Sequence, residues 1–373
     1  MEVIFENLML LDIKQVIMWI IGGVLIFLAI KKEMEPTLLL PLGFGAILVN
    51  LPMSGAVTQV IDGVTEEGAI DILFNAGIAN ELFPLLLFIG IGAMIDFTPL
   101  LSNPKLLFFG AAAQFGIFFT FSMAALFGFD IKDAVSIGII GAADGPTAIF
   151  VANFLQSNYL GAIIVAAYSY MALVPIIQPA VIKTLTTKKE RMIRMEYGNT
   201  NVSPLVKILF PIVITIIAGL VAPRSVSLVG FLMFGNLLRE CGVLRILSES
   251  AQNVLANLIT LLLGLTIASK MQADMFLTKE TLLIMALGLV AFIFDTAGGV
   301  MLAKFINLFT KKKINPMVGA AGISAFPMSA RVVHQMGLKE DPQNFLLMHA
   351  AGANVAGQIA SVIAGGLLLN LIS

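Results

Sequence analysis

One carboxylate is distinguished by the stretch of sequence around it. Asp144 occurs in a run that is otherwise apolar enough for a lipid bilayer, and Gly145 and Pro146 follow it directly. An ionisable side chain at the bilayer centre costs about 2.5–3.5 kcal/mol on insertion scales. The Gly-Pro pair also breaks a helix and frees backbone carbonyls that lipid cannot hydrogen-bond. The two features at one position predict a site for a cation, a proton or both.

A second interrupted segment, 315–331, carries further oxygen ligands. Its helix breakers and polar residues are Pro316, Gly322, Pro327, Asn315, Ser324, Ser329 and Arg331. Amide and hydroxyl oxygens, together with freed carbonyls, suit a small cation such as Na⁺. Asp144 would supply the negative charge. The alternative is that Asn315 and Ser324 cap the two half-helices, as Asn and Ser commonly do.

Other polar residues in apolar segments each have two interpretations. Arg331 is either an anion-binding group at the cytoplasmic mouth or a side chain that snorkels to the interface. Tyr170 lies in mid-span, away from the interfacial belt, and either relays a proton or packs with one hydrogen bond. Asn354 ligates the ion or joins two helices through its amide. Asp295 is a secondary candidate, and His349 is interpreted as structural.

The composition limits the class of protein. Of 373 residues, 58% are hydrophobic and 12% charged, against roughly 25% charged in soluble domains. This predicts a polytopic all-α membrane protein that contacts lipid and does not bind nucleic acid. The single Cys241 excludes an intrachain disulfide, and no Walker A, dinucleotide-binding or nucleophile-elbow motif occurs. Acidic residues before Val16–Ile30 and Lys31-Lys32 after it predict a retained first helix rather than a cleaved signal.

Loop charges set the topology. Twelve apolar segments are predicted: 16–30, 36–52, 82–97, 106–128, 134–155, 159–182, 204–222, 225–238, 253–269, 281–309, 315–335 and 344–372. Loop 183–203 and the cluster Lys311-Lys312-Lys313 are basic and therefore predicted to be cytoplasmic, whereas the acidic loop 53–81 contains no Lys or Arg and is predicted to lie outside. The N-terminus is then outside.

The number of membrane crossings predicts that one apolar segment is a re-entrant hairpin. Between the outer loop 53–81 and the inner loop 183–203 the chain must cross the membrane an odd number of times. Four apolar segments lie in this interval, so segment 134–155 is predicted to be re-entrant, entering from outside and turning near Gly145-Pro146. About ten transmembrane helices plus two re-entrant hairpins follow.

An internal repeat divides the single membrane domain, 1–373. Gly141–Thr147 resembles Gly319–Ala325 at an offset of 178, and Leu85–Ala93 resembles Leu261–Ser269 at an offset of 176. Because the two halves begin on opposite sides, this is an inverted-topology repeat of the kind found in elevator-like transporters. The predicted parts are the N-terminal helices and outer loop (1–81), repeat 1 with hairpin 134–155 (82–182), the basic loop and connecting helices (183–257) and repeat 2 with hairpin 315–335 (258–373).

These segments resemble a known family, the β subunits of the sodium-pumping, biotin-dependent decarboxylases that act on oxaloacetate, methylmalonyl-CoA and related acids. The most specific segment is Gly138–Phe150, and 315–331 resembles the family's second functional region. The resemblance implies that Asp144 is the essential carboxylate and Tyr170 the tyrosine tied to proton movement. It also implies that Asn315, Gly319, Ser324 and Arg331 form the polar set of the second region.

The resemblance also implies a division of labour. A carboxyltransferase α subunit would load a biotin carrier subunit, and this chain would decarboxylate carboxybiotin at the cytoplasmic face, export Na⁺ and consume an external proton. It would bind no covalent cofactor itself. It would assemble with a small membrane subunit, as a homo-oligomer of three copies, in the bacterial inner membrane. The rival interpretation is a secondary Na⁺- or H⁺-coupled organic anion transporter of the inverted-repeat, elevator kind.

Overall fold

A computed structural model of the protein describes residues 9–61, 63–196 and 201–372. The helices are α1 (Ile13–Lys31), α2 (Pro36–Val49), α3 (Ala69–Gly77), α4 (Leu82–Met94), α5 (Thr98–Ser102), α6 (Leu107–Ala113), α7 (Phe115–Leu126), α8 (Ile131–Gly138), α9 (Gly145–Phe154), α10 (Leu160–Leu185), α11 (Lys188–Arg191), α12 (Pro204–Val221), α13 (Val226–Glu240), α14 (Arg245–Ser250), α15 (Ala256–Ile267), α16 (Ala273–Phe276), α17 (Lys279–Phe309), α18 (Pro316–Ala320), α19 (Met328–Glu340) and α20 (Leu347–Ile372). Short 3₁₀ turns cover Pro104–Leu106, Ile139–Ala142, Pro223–Ser225 and Ala268–Met271, and a π turn covers Ala251–Leu255.

Strands β1 (Gln59–Ile61) and β2 (Val64–Glu66) form a small antiparallel hairpin in the predicted outer loop. Three acidic residues used above for topology, Glu2, Glu6 and Asp62, lie outside the described residues.

The apolar helices confirm a polytopic membrane protein. In the part of the chain described, seven helical stretches are long and apolar enough to span a bilayer: 13–31, 104–126, 160–185, 204–221, 245–271, 279–309 and 347–372. The pair α3 and α4, bent by 63°, makes an eighth candidate, and α2 is apolar but shorter. The predicted number of about ten crossings and the re-entrant path of the two hairpins remain predictions.

Both predicted helix breaks are present. The first hairpin descends through α8 and the 3₁₀ turn, passes Ala143 in the left-handed region with φ 52°, and begins a new helix at Gly145. Pro146 is tolerated there because the first turn of a helix has no intrahelical acceptor for its missing N–H. In the second hairpin α18 ends at Ala320 and α19 begins only at Met328.

The basic loop 183–196 is held by acidic residues at the end of α19. Arg191 Nε lies 2.6 Å from Glu340 Oε1, and Arg194 Nε lies 2.5 Å from Asp341 Oδ2. The hydrogen bond from Arg194 holds the pKa of the Asp341 carboxyl below its usual value. Loop 183–196 is therefore attached to the segment that follows α19. This clustering is the pattern expected if these loops share one side of the membrane.

Helix α17 occupies the centre of the molecule. It packs against α6, α7, α10, α18 and the 3₁₀ turn of the first hairpin. Its backbone approaches that of α18 closely where two glycines face each other: a Cβ on Gly299 would strike the carbonyl group of Gly319, and a Cβ on Gly319 would strike that of Gly299. Small residues at such contacts let membrane helices approach closely.

We expect Gly299→Ala to destabilise the protein by about 1–3 kcal/mol, because the added methyl overpacks a backbone contact that cannot yield. The measurement is the midpoint of thermal unfolding in detergent. Gly23→Ala is the matched control, since nothing lies within 4 Å of a Cβ there. Equal midpoints for the two variants would contradict the assigned packing.

Candidate functional site

Asp144 is buried and held by hydroxyl and amide donors. Asp144 is only 3% exposed and lies between the 3₁₀ turn and α9. The Oδ2 atom accepts hydrogen bonds from Thr147 Oγ1 (2.6 Å), Gln358 Nε2 (3.0 Å) and Ser361 Oγ (3.2 Å). Hydrogen bonds to a carboxylate are stronger than those between neutral groups. Donors from α9 and α20 therefore fix one oxygen of the carboxylate.

The depth of the carboxylate follows from its partners on α20. Gln358 lies eleven residues after the start of that helix at Leu347, and Ser361 lies eleven residues before its end at Ile372. At 1.5 Å per residue, each is about 17 Å from a helix end. The hydrocarbon core of a bilayer is about 30 Å thick. Asp144 is thus level with the middle of a spanning helix.

The tips of the two hairpins touch beside this carboxylate. The backbone N–H of Ser324 donates to Ala142 O at 3.1 Å, and Ser324 Oγ donates to Gly357 O at 2.9 Å. Asn354 Nδ2 donates to Ile323 O at 2.6 Å, while its buried Oδ1 accepts no hydrogen bond from any described residue. The structure therefore brings Ser324 and Asn354 to the segment that contains Asp144.

Other predicted residues are engaged elsewhere. Asn315 caps α18: Oδ1 accepts from Met317 N at 3.0 Å, and Nδ2 donates to Arg191 O at 2.8 Å and to a second loop carbonyl at 2.9 Å. Of its two interpretations, the structure displays the cap. Gly319 contributes its close backbone contact with α17. Neither Asn315 nor Gly319 forms a hydrogen bond to Asp144.

Arg331 is exposed on α19 and makes no ion pair within the described residues. The acidic group whose charge it influences is Glu35, at the start of α2: burial raises the pKa of Glu35, and the Arg331 charge opposes that rise. Arg331 therefore lies near the start of α2, with its side chain exposed.

Two tyrosines on α10 have different surroundings. The Tyr170 hydroxyl donates to the Met285 carbonyl on α17. The Tyr168 ring packs against Gly145, where any Cβ would strike it, and its buried hydroxyl has no hydrogen-bond partner among the described residues. Tyr168 thus places an unsatisfied hydroxyl next to the Asp144 segment. Tyr170 is among the site residues predicted from the sequence, whereas Tyr168 is not.

Three further partners of Asp144 were missed: Thr147, Gln358 and Ser361. A signal for two of them existed, because Asn354, Gln358 and Ser361 recur at i, i+4 and i+7 and so share one face of an apolar helix. Thr147, three residues after Asp144, occupies the position where a helix N-cap finds its partner. These partners become visible in the sequence only when the polar residues of this helix are considered as one face.

The ligand chemistry of the site is oxygen only. Across residues 9–61, 63–196 and 201–372 no three His, Cys, Asp or Glu side chains lie close enough to hold a metal ion together. The groups around Asp144 are hydroxyls, amides and backbone carbonyls, which are the ligands that hard cations prefer.

We expect Tyr170→Phe and Tyr168→Phe to affect stability differently. Removing the Tyr170 hydroxyl leaves the Met285 carbonyl without its donor and costs about 1 kcal/mol. Removing the Tyr168 hydroxyl deletes a buried group without a partner, so the thermal midpoint in detergent stays the same or rises. The reverse order of the two midpoints would contradict the hydrogen bonds described here.

Comparison with known proteins assigns the chain to a family. Residues 14–372 match the family described as the Na⁺-transporting oxaloacetate decarboxylase beta subunit. The methylmalonyl-CoA decarboxylase subunit beta of Propionigenium modestum is 50% identical, with 97% of this chain and 95% of the relative covered. That of Veillonella parvula is also 50% identical, covering 96% and 93%. The oxaloacetate decarboxylase beta chain of Klebsiella pneumoniae is 45% identical, covering 98% and 97%. The chain therefore belongs to the family of β subunits of the Na⁺-transporting decarboxylases.

Proposed function

We propose that this chain is the membrane subunit of a primary Na⁺ pump. It decarboxylates carboxybiotin at the cytoplasmic face, exports Na⁺ and consumes a proton taken from outside. The observation that carries the proposal is the buried Asp144 carboxylate at the point where two broken helices meet. Family membership supports it, because the relatives are decarboxylase β subunits.

Na⁺ is the cargo, and Asp144 is its proposed charged ligand. Asn354 Oδ1 is buried without a partner in the described residues and would be a second ligand. Ser324 and Thr147 supply hydroxyl oxygens in the same region, and the helix breaks supply carbonyls. A single carboxylate holds Na⁺ or a proton but not both, so Asp144 cannot hold a proton while it binds Na⁺.

Carboxybiotin would approach from the basic end. Gln335 follows Arg331 by one helical turn on α19 and lines a cleft of about 240 Å³ between α19 and α10. Lys183, Lys339 and Glu340 also line this cleft, and the Glu340 carboxylate is paired with Arg191. An arginine can bind a carboxylate through two parallel hydrogen bonds. In the proposed cycle Arg331 binds the carboxylate of carboxybiotin, and the two lysines attract it.

The remaining partners follow from the family. A carboxyltransferase subunit and a biotin carrier would deliver the carboxyl group, and a small membrane subunit would complete the complex. The chain would act as a homo-oligomer, with three copies as the proposed number, in the bacterial inner membrane. Its basic loops would face the cytoplasm, and hairpin 134–155 would enter from outside.

Alternating access would rest on the inverted repeat, and contacts at matching positions support that repeat. Gly110 on α6 packs against Ala356 and Gly357 on α20, and Gly288 on α17 packs against Tyr170 on α10. Gly110 and Gly288 are 178 residues apart, the offset found between the hairpin sequences. Tyr170 and Gly357 are 187 residues apart, which is the separation of the starts of α10 and α20. A core containing both hairpins would then carry the site across the membrane.

The test of the proposal is Na⁺ uptake by inverted membrane vesicles that contain the whole decarboxylase complex. Substrate should drive uptake, and avidin, which sequesters biotin, should abolish it. Uptake that avidin leaves unchanged would sink the decarboxylase interpretation and favour a secondary transporter of organic anions.

In this assay we expect Asp144→Asn to reduce Na⁺ uptake to background, because the neutral amide cannot balance the charge of a bound Na⁺. Asp274→Asn is the control. That aspartate pairs with Lys14 at 2.8 Å at an exposed position, where an ion pair contributes little. Full uptake by Asp144→Asn would show that the cation is bound elsewhere.

We expect Arg331→Ala to raise the KM for the carboxylated biotin carrier by about 10- to 100-fold, the effect of losing a hydrogen bond to a charged group. Na⁺-dependent thermal stabilisation should persist, because the guanidinium makes no hydrogen bond to Asp144. Arg245→Ala, which removes an exposed pair with Glu249, is the control. An unchanged KM for Arg331→Ala would remove this residue from carboxybiotin binding.

A further inference from the structure

Asp295 is a second buried carboxylate that the proposed cycle leaves without a role. It lies in α17 and is 0% exposed. Its Oδ1 accepts a hydrogen bond from Ile117 N at 3.2 Å, and its Oδ2 has no hydrogen-bond partner among the described residues. A carboxyl group in an apolar membrane segment is a functional candidate by default.

The carboxylate fits against a break in the neighbouring helix. Helix α6 ends at Ala113 and α7 begins at Phe115, so Ile117 lies in the first turn of α7, and its N–H is shared between Gln114 O and Asp295 Oδ1, each at 3.2 Å. Gly116 permits the approach, because a Cβ there would lie 2.5 Å from Asp295 Oδ1. The other oxygen points toward the first hairpin, where a Cβ on Gly141 would lie 2.6 Å from Oδ2. Asp295 therefore touches the segment that leads into Asp144.

The position of Asp295 is central. Asp295 and Ile117 are 178 residues apart, which is the offset of the internal repeat. Two positions that are equivalent in the halves and also contact each other lie beside the axis that relates those halves. In an inverted repeat this axis lies in the plane of the membrane. The contact thus places Asp295 near mid-depth.

No positive charge compensates Asp295. The described residues contain no ion pair to it. Helices α6, α7 and α18 and the 3₁₀ turn 139–142 pack against α17 and contain no titratable side chain. Helix α10 contributes Tyr168, Tyr170 and Lys183. Helix α8 contributes Lys132 and Asp133, whose carboxylate accepts hydrogen bonds from Ser157 and Asn158.

The surroundings of Asp295 favour the protonated carboxyl group. Among the described residues its Oδ2 has neither a hydrogen-bond donor nor an ion-pair partner. A cation such as Na⁺ needs several oxygen ligands, whereas a proton needs only the carboxylate itself. An ionised carboxylate here would be a buried charge without a partner, which costs several kcal/mol.

We propose that Asp295 binds the proton of the transport cycle and that Asp144 binds Na⁺. The proposal rests on the proposed function and divides its two ions between two carboxylates joined by the segment 141–144. When carboxybiotin loses CO₂, its C–N bond breaks and the electron pair stays on the ureido nitrogen. That nitrogen takes up one proton, which Asp295 releases and later regains from outside.

The experiment uses the complete complex in inverted vesicles and follows Na⁺ uptake and lumenal alkalinisation on adding substrate. Asp295→Asn keeps an oxygen that accepts from Ile117 but carries no exchangeable acid proton. We expect uptake and alkalinisation to fall together by about 10²-fold, with Na⁺-dependent thermal stabilisation retained. Asp295→Glu should restore part of both. In Asp144→Asn that stabilisation should be lost, which separates the two roles.

The outcomes are distinct. Wild-type alkalinisation and Na⁺ uptake by Asp295→Asn would overturn the assignment of the proton to this residue. Absence of substrate-driven Na⁺ uptake in the wild type would instead overturn the proposed function. If Asp295→Asn does not fold, infrared difference spectra of the wild type and Asp295→Glu decide. A protonated-carboxyl band that changes on Na⁺ addition and shifts in the Glu variant supports the proposal, and its absence refutes it.

Discussion

The structure depends on keeping one carboxylate hydrogen-bonded in the middle of an apolar protein. Thr147, Gln358 and Ser361 all donate to the same oxygen of Asp144. Without these donors a buried carboxylate would be destabilising in either charge state. Because the donors come from α9 and from the centre of α20, the first hairpin and the last helix must stay in register. The packing of the core holds the first hairpin and α20 in this register.

The close helix contacts of the core follow from this requirement. A hairpin tip can reach mid-depth only if the surrounding helices leave room for its backbone. Glycines supply that room on α17, where Gly288 accommodates the Tyr170 ring and Gly299 accommodates the backbone of α18. The irregular segments are enclosed by protein rather than lipid, as backbone outside regular helix must be at this depth.

The sequence allowed much of the site to be predicted because its features are locally encoded. An acidic residue before Gly-Pro in an apolar run is visible without any tertiary knowledge, and the breaks at Asp144 and after Ala320 occur where the breakers stand. What could not be predicted were partners distant in sequence. Gln358 is 214 residues from Asp144, and nothing in its neighbourhood specifies which hairpin it faces. Asn315 had two interpretations on local grounds. Its cap is a local contact with Met317 N, but its amide also donates to Arg191 O, more than a hundred residues away, and that second contact could not be predicted.

The attachment of loop 183–196 to the second hairpin has a mechanical consequence. Arg191 O accepts hydrogen bonds from Asn315 and Asn344, which flank that hairpin on either side, while the Arg191 side chain pairs with Glu340. Segment 183–196 is therefore bonded to both ends of the second hairpin. A displacement of the hairpin would pull on this segment, and a force applied to the segment would reach the hairpin through the same bonds. A soluble protein bound to this loop would act on the second hairpin, whose tip contacts the segment that contains Asp144.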